Sequence, residues 1–219
     1  MKTSFIYFCK YISSPIIEKF FLERIEGREN IPSTNFILAP NHLDGKDHWF
    51  IMALLKERLK NVRALAAMDS LKILFISSLL YYFTNAIKVD RRKVDRKSLL
   101  DKIIKNLKEN RIIVIYPEGD SNNKKMLLKG KTGVAELALR TNVPIIPLGI
   151  KAVDNSFKRV IKIGKPLYYL KEKEIAKNIV NDKEKYHLLL RKITDNIMRE
   201  ISRLSQKPYQ YADQKDSYR

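Results

Sequence analysis

Phe36-Ile37-Leu38-Ala39-Pro40-Asn41-His42-Leu43-Asp44-Gly45-Lys46-Asp47 changes character twice. The apolar run Phe36–Ala39 reads as a short buried strand that Pro40 ends. A polar, glycine-containing stretch follows, and a helix is expected to begin near Asp47 and run to about Lys60. A strand that hands over to a helix through a chemically rich turn is the basic unit of an α/β domain.

The same alternation continues outward. Arg63–Ala67, Ala86–Val89, Ile112–Tyr116, Val143–Ile150 and Arg159–Ile163 read as strands. Leu71–Phe83, 95–109, Thr132–Arg140 and 182–204 read as helices, the second with Leu99, Ile103 and Leu107 on one face. The expected fold class is α/β: a single layered domain with a mixed, mostly parallel sheet flanked by helices, plus an N-terminal apolar helical segment. Val143-Pro144-Ile145-Ile146-Pro147 carries prolines that remove ladder donors, so by itself it reads as an edge or a bulge.

The segment 1–22 is rich in Phe, Ile and Tyr, and Ser13-Ser14-Pro15 reads as a stop and restart between two short helices. Thr3, Lys10 and Ser14 share one helical side. Such a segment can pack on the core, dip into a lipid interface, or do both. The boundaries expected from the sequence are a helical segment at 1–25, a domain at 26–205 and a loose polar tail at 206–219. No run of about 20 apolar residues, the length a spanning helix needs, is evident; the longest uncharged stretch, 73–87, includes Ser77, Ser78, Thr84 and Asn85. No secretory signal is recognisable.

The chain carries 43 Lys+Arg against 24 Asp+Glu, a formal net charge of +19. Such a surface attracts anions, from nucleic acid to lipid headgroups to phosphorylated metabolites. Two clusters stand out: 88–97, with Lys88, Arg91, Arg92, Lys93, Arg96 and Lys97, and the group Lys124, Lys125, Lys129 and Lys131. Each is either a solvated face or a phosphate site. The chain's single cysteine, Cys9, excludes an internal disulfide and fits a reducing compartment.

His42 and Asp47 stand at the spacing His-x-x-x-x-Asp. At a helix entrance that spacing lets an imidazole fold back onto a carboxylate. The carboxylate then fixes the tautomer and leaves the other ring nitrogen as a base. Tyr116-Pro117-Glu118-Gly119 closes the most apolar strand and offers a carboxylate beside a backbone that can approach a ligand closely.

In this order the pieces resemble the glycerophospholipid acyltransferase family. Asn41-His42 through Asp47 is similar to its first block, Ala86-Ile87-Lys88-Val89-Asp90-Arg91 to the end of its second, Tyr116-Pro117-Glu118-Gly119 to its third, and Val143–Pro147 to its fourth. Gly27–Pro32 and Lys129-Gly130-Lys131-Thr132-Gly133 also resemble stretches common in the family. The resemblance covers about residues 1–165. It implies His42 and Asp47 as catalytic residues and Arg91 on the acceptor phosphate. Asn41, Glu118, Gly119, Lys129 and Gly130 are implied on the substrate side. It also implies acyl transfer from acyl-CoA or acyl-carrier protein to a lysophospholipid hydroxyl, lysophosphatidic acid first, in phospholipid synthesis, with no metal or other cofactor. A peripheral or monotopic place on the cytoplasmic face of an anionic membrane follows as an expectation. Three positions depart from the family pattern: Asn85 for a glycine, Asp120-Ser121-Asn122 for a Thr-Arg-Ser-like stretch, and Met68 for a lysine. All three lie on the acceptor side.

Three other readings each lack a required feature. A serine hydrolase using Ser121 with His42 needs a strand–elbow–helix context that Glu118-Gly119-Asp120-Ser121 does not supply. A nucleic-acid binder needs a recognition signature beyond positive charge, so no nucleic-acid partner is expected. A metal hydrolase using His42, Asp44 and His48 lacks a further ligand cluster.

Overall fold

The computed structural model describes residues 3–67, 86–90 and 95–212. Among these, the strands β1 (Leu22–Glu26), β2 (Ile37–Pro40), β3 (Val62–Ala67), β4 (Ile87–Val89), β5 (Ile112–Val114), β6 (Ile145–Ala152) and β7 (Arg159–Ile163) form one sheet. Its order is β1-β7-β6-β2-β5-β3-β4. Every neighbouring pair is parallel except β6 with β7, which is antiparallel. This is the mixed, mostly parallel sheet that the alternating pattern predicts. The helix expected at Leu71–Phe83, together with Met68, Asn85 and Arg91–Lys93 of the basic cluster, lies outside the described residues.

Successive residues on the central strands serve opposite faces, as a pleated strand requires. Ile37, Ile113 and Ile145 join one core cluster; Leu38, Val114 and Ile146 join the other. The first cluster is closed by α4 (Arg96–Lys108), α5 (Gly133–Arg140), α6 (Leu170–Ile179) and α7 (Lys183–Ser205). The second is closed by α3 (Asp47–Leu54). Helix α7 presses so close to β6 that a Cβ on Gly149 would stand 2.3 Å from the Leu204 backbone, so only glycine fits there.

The N-terminal segment is one helical path rather than two pieces: α1 (Thr3–Phe8), a π turn Cys9–Ser13, α2 (Ser14–Ile16) and a second π turn Ile17–Phe21. Pro15 withholds a donor, yet the helical path runs on through it, and the Ser14 hydroxyl donates to the Cys9 carbonyl at 2.5 Å. Its polar positions divide, with Thr3 and Lys19 exposed. Ser14 is fully buried and Lys10 pairs with Glu57, whereas Tyr7, Tyr11, Ile12 and Phe20 are each more than half exposed.

Three further expectations are corrected. The first concerns Val143–Pro147, which is no edge, because β6 lies between β7 and β2. Pro147 is tolerated because its side of β6 faces the point where β7 has ended; there the Pro147 carbonyl accepts the Gly164 N–H. The second is the helix expected to Lys60, which ends at Leu54 and tightens into a 3-10 turn, Lys56–Asn61. The turn buries Leu59 and aims the Arg58 guanidinium at the Pro32 and Thr34 carbonyls. The third is the start of the polar tail, which is not loose. Lys207 donates to the Asn122 carbonyl, the Pro208 carbonyl accepts the Leu127 N–H, and the Tyr209 hydroxyl donates to Asp195. The structure adds β1 and α6, elements that no apolar run announced.

Candidate active site

Because β2 and β5 run parallel, the loops after them leave the sheet at the same edge. The loop after β2 carries Asn41 to Lys46; the loop after β5 carries Tyr116 to Lys131. The first residue of α3 is Asp47, fully buried. Its Oδ2 accepts the Leu43 N–H at 2.6 Å and the Asp44 N–H at 3.0 Å, and it lies 2.8 Å from His42 Nδ1. Three donors thus converge on one carboxylate oxygen at a helix N-terminus, where negative charge is favoured. The loop must curl to deliver them, and that curl is what brings His42 back onto Asp47.

The His42 backbone is gripped from the opposite loop. Its N–H donates to Glu118 Oε1 at 3.0 Å and its carbonyl accepts the Asn122 N–H at 2.7 Å. Glu118 is buried and its second oxygen is also engaged, accepting Asn122 Nδ2 at 3.0 Å and the Leu128 N–H at 2.8 Å. The Tyr116 ring stacks on the His42 imidazole with centroids 4.1 Å apart. The Tyr116 hydroxyl lies 3.1 Å from His48 Nδ1. Burial, then the charge of His42, pushes His48 down to about 4, against a smaller opposite pull from Asp47.

The residues expected on the substrate side divide. Both ends of the Asn41 amide are spent on Ile150, Nδ2 donating to its carbonyl at 3.0 Å and Oδ1 accepting its N–H at 2.7 Å. Asn41 therefore extends the β2–β6 ladder beyond Pro40 instead of reaching toward a substrate. Glu118 holds the two loops together. Gly119 adopts φ +72, and a Cβ there would collide with the Lys131 side chain. Gly130 packs against Met198 and Thr194 of α7, and its carbonyl accepts from Arg191 at 2.7 Å; Lys129 beside it is partly buried. Arg91 lies outside the described residues.

Other groups were missed in the sequence. Asn122 stands in the stretch that departs from the family pattern, and here it joins Glu118, Met126 and His42. Lys207 reaches the Asn122 carbonyl at 2.8 Å from the far end of the chain. Its ammonium is pushed down by burial, while the nearby carboxylates of Glu118 and Asp47 act the other way. No local signal ties Lys207 to a loop 85 residues earlier.

The metal-hydrolase set does not converge: His42 Nδ1 faces Asp47, His48 Nδ1 faces Tyr116, and Asp44 pairs with Arg159 at 3.2 Å. Among the described residues no group of three metal-ligating side chains occurs. Ser121 is exposed on a loop that does not enter a helix until Gly133, so no nucleophile elbow forms.

A family model described as Acyltransferase matches residues 23–151. The chain is 30% identical over 135 residues to 1-acyl-sn-glycerol-3-phosphate acyltransferase of Borreliella burgdorferi (strain ATCC 35210 / DSM 4680 / CIP 102532 / B31). That match covers 61% of this chain and 52% of the relative, so the chain matches about half the length of that protein. Its fold is similar to the crystal structure of the 1-acyl-sn-glycerophosphate (LPA) acyltransferase, PlsC, from Thermotoga maritima. The TM-score is 0.61 at 21% identity, over 94% of this chain and 81% of that one. The matched stretch contains the loop after β2, the loop after β5 and the central strands that hold them together; the chain belongs to the acyltransferase family.

Proposed function

We propose that the protein is an O-acyltransferase that moves a fatty acyl group from an acyl thioester, acyl-CoA or acyl-carrier protein, to the free hydroxyl of lysophosphatidic acid. The observation that carries this reading is the His42 Nδ1 to Asp47 Oδ2 contact of 2.8 Å, made by a carboxylate that two backbone N–H groups already orient. Asp47 holds the His42 tautomer with its proton on Nδ1, which leaves Nε2 as the base.

His42 Nε2 takes the proton of the acceptor hydroxyl as its oxygen attacks the thioester carbonyl. The tetrahedral intermediate collapses by breaking the C–S bond, and the imidazolium returns the proton to the departing thiolate. No acyl-enzyme enters this scheme. Cys9 is buried in the N-terminal segment, and burial pushes its thiol up to about 11. Arg91 is proposed to hold the acceptor phosphate, with Lys129 in support.

The similarity to the Borreliella burgdorferi relative supports lysophosphatidic acid as the first acceptor to try. The test is turnover of a panel of lyso-acceptors with palmitoyl-CoA and with palmitoyl-acyl-carrier protein, for the wild type and His42→Ala. We expect His42→Ala to lose at least about 10²-fold in kcat, roughly 3 kcal/mol of barrier. Wild-type thioester consumption by a folded His42→Ala protein would sink the mechanism. Arg91→Ala should raise KM for phosphorylated acceptors and leave the thioester KM unchanged. An equal rise with unphosphorylated acceptors would remove Arg91 from the phosphate.

The N-terminal segment supports a peripheral membrane location, on the cytoplasmic face in this reading. Phe8, Ile12, Ile16, Phe20 and Phe21 face outward, joined by Tyr7 and Tyr11. Among the described residues no helix is long and apolar enough to cross a membrane.

A further inference from the structure

We propose that Tyr116 and His48 form a positioning pair for the catalytic imidazole: the Tyr116 ring supports the imidazolium that His42 becomes, and His48 fixes that ring by accepting the Tyr116 O–H. The proposal rests on His42 acting as the base.

Asp47 controls the His42 ring at one edge only, through Nδ1. A single edge contact leaves the ring able to rock about the Nδ1–Oδ2 line. The Tyr116 ring removes that freedom, lying against the imidazole face at 4.1 Å with an interplanar angle of 26°. The same face carries negative π density, which favours the imidazole once it has taken the acceptor proton. Tyr116 needs its own restraint, because it stands on a loop beyond the end of β5. His48 supplies it from α3, with Nδ1 3.1 Å from the hydroxyl and its ring edge-on to Tyr116 at 5.3 Å.

His48 sits one residue after Asp47, so the helix turn that places the orienting carboxylate also places the tyrosine's partner. The groups that bear on His48 are His42 from the first loop, Asp47 from α3 itself and the hydrogen-bonded Tyr116 from the second loop. A protonated His48 would lose its acceptor nitrogen and stand 5.8 Å, centroid to centroid, from the forming imidazolium. Its downward shift to about 4 keeps it neutral where a histidine base works. The bond then requires the tautomer with hydrogen on His48 Nε2.

The test combines kinetics with a measurement that needs no substrate. With lysophosphatidic acid and palmitoyl-CoA or palmitoyl-acyl-carrier protein, Tyr116→Leu should lower kcat about 5- to 30-fold with little change in either KM. The acid limb of its rate profile should move to lower pH, because the protonated imidazole loses support. Tyr116→Phe keeps the ring and removes one oxygen, so it should fold normally and lose about two- to fivefold. His48→Leu should match it, and the double variant should be no worse than either single one, since both break the same bond. His48→Gln retains an acceptor and should recover most of the loss. Independently, ¹⁵N NMR of the resting protein should show His48 neutral at pH 6 and protonated on Nε2.

A folded Tyr116→Leu protein with kcat within twofold of wild type and an unmoved acid limb overturns the proposal. So does a His48 that carries its hydrogen on Nδ1 or titrates near 6.5. Activity in His42→Ala would instead overturn the reading on which the pair rests, and the two failures are therefore separable.

Discussion

Glu118 shows how one side chain can look like a ligand group and serve another purpose. Its two oxygens accept three hydrogen bonds, from the His42 N–H, Asn122 Nδ2 and the Leu128 N–H. They tie the two loops of the site together in a place where the carboxylate is almost fully buried. Glu118→Gln would set an NH₂ group against donors. Hydrogen bonds to charged groups are worth about 1.5–3 kcal/mol each, so the substitution should cost about 2 kcal/mol of stability. It should lower kcat with every acceptor, since it displaces the His42 backbone. Urea unfolding and a kcat-against-KM comparison across acceptors check this. An effect confined to acceptor KM would return Glu118 to the role that the family resemblance implied.

At the scale of elements, α7 and the chain after it hold the second loop from beneath. Arg191 and Asp195 form a buried pair, with Arg191 Nη2 2.6 Å from Asp195 Oδ1. Arg191 also donates to the Gly130 carbonyl, and Tyr209 donates to Asp195 at 2.6 Å. The pair therefore joins the long C-terminal helix, the Lys129–Lys131 stretch and the tail. Arg191→Ala would leave the Asp195 charge buried with its main partner gone, at a cost of about 3–5 kcal/mol. Arg191→Met, which fills similar volume, should lose nearly as much because the buried Asp195 charge keeps only the Tyr209 hydroxyl. Arg191→Met combined with Asp195→Leu and Tyr209→Phe should recover much of it. Chemical denaturation of the variants is the measurement, and additive losses in the combined variant would argue against a shared network.

At the scale of the whole molecule, the proposed membrane role rests on the distribution of apolar surface. Cys9, Ser14 and Ile17 face the domain, while Phe8, Ile12 and Phe20 are 43%, 53% and 57% exposed. Changing these last three to serine leaves the inward contacts intact. Full burial of each is worth about 1.5–3 kcal/mol, and about half of each is still exposed. The triple variant should therefore bind anionic vesicles about 10²-fold more weakly in high salt, where charge is screened within roughly a Debye length of 10 Å or less. Co-sedimentation at low and high salt measures this. Release of the wild type by salt alone would assign attachment to the net charge of +19 and leave the aromatic face without a membrane role.

Much of this protein was legible in the residues themselves. Ile112–Val114 and Ile37–Pro40 are strands because short apolar runs bounded by turn residues have few other ways to be buried. His42 and Asp47 could be paired from their spacing because the contact is local, closed within one helix entrance. β1 was silent because Leu-Glu-Arg-Ile-Glu is an edge strand whose charges face water. α6 was silent because Ala176 is its only buried residue. Asn41 and Glu118 could not be assigned from sequence, since their partners Ile150 and His42 lie 109 and 76 residues away. The same holds for Tyr116 with His48 and for Lys207 with Asn122. Periodicity and spacing report contacts that a strand or a single helical turn can close. Which loops share one edge of a parallel sheet is decided only when strands distant in the chain pair, and in this protein that pairing assembles the site around His42.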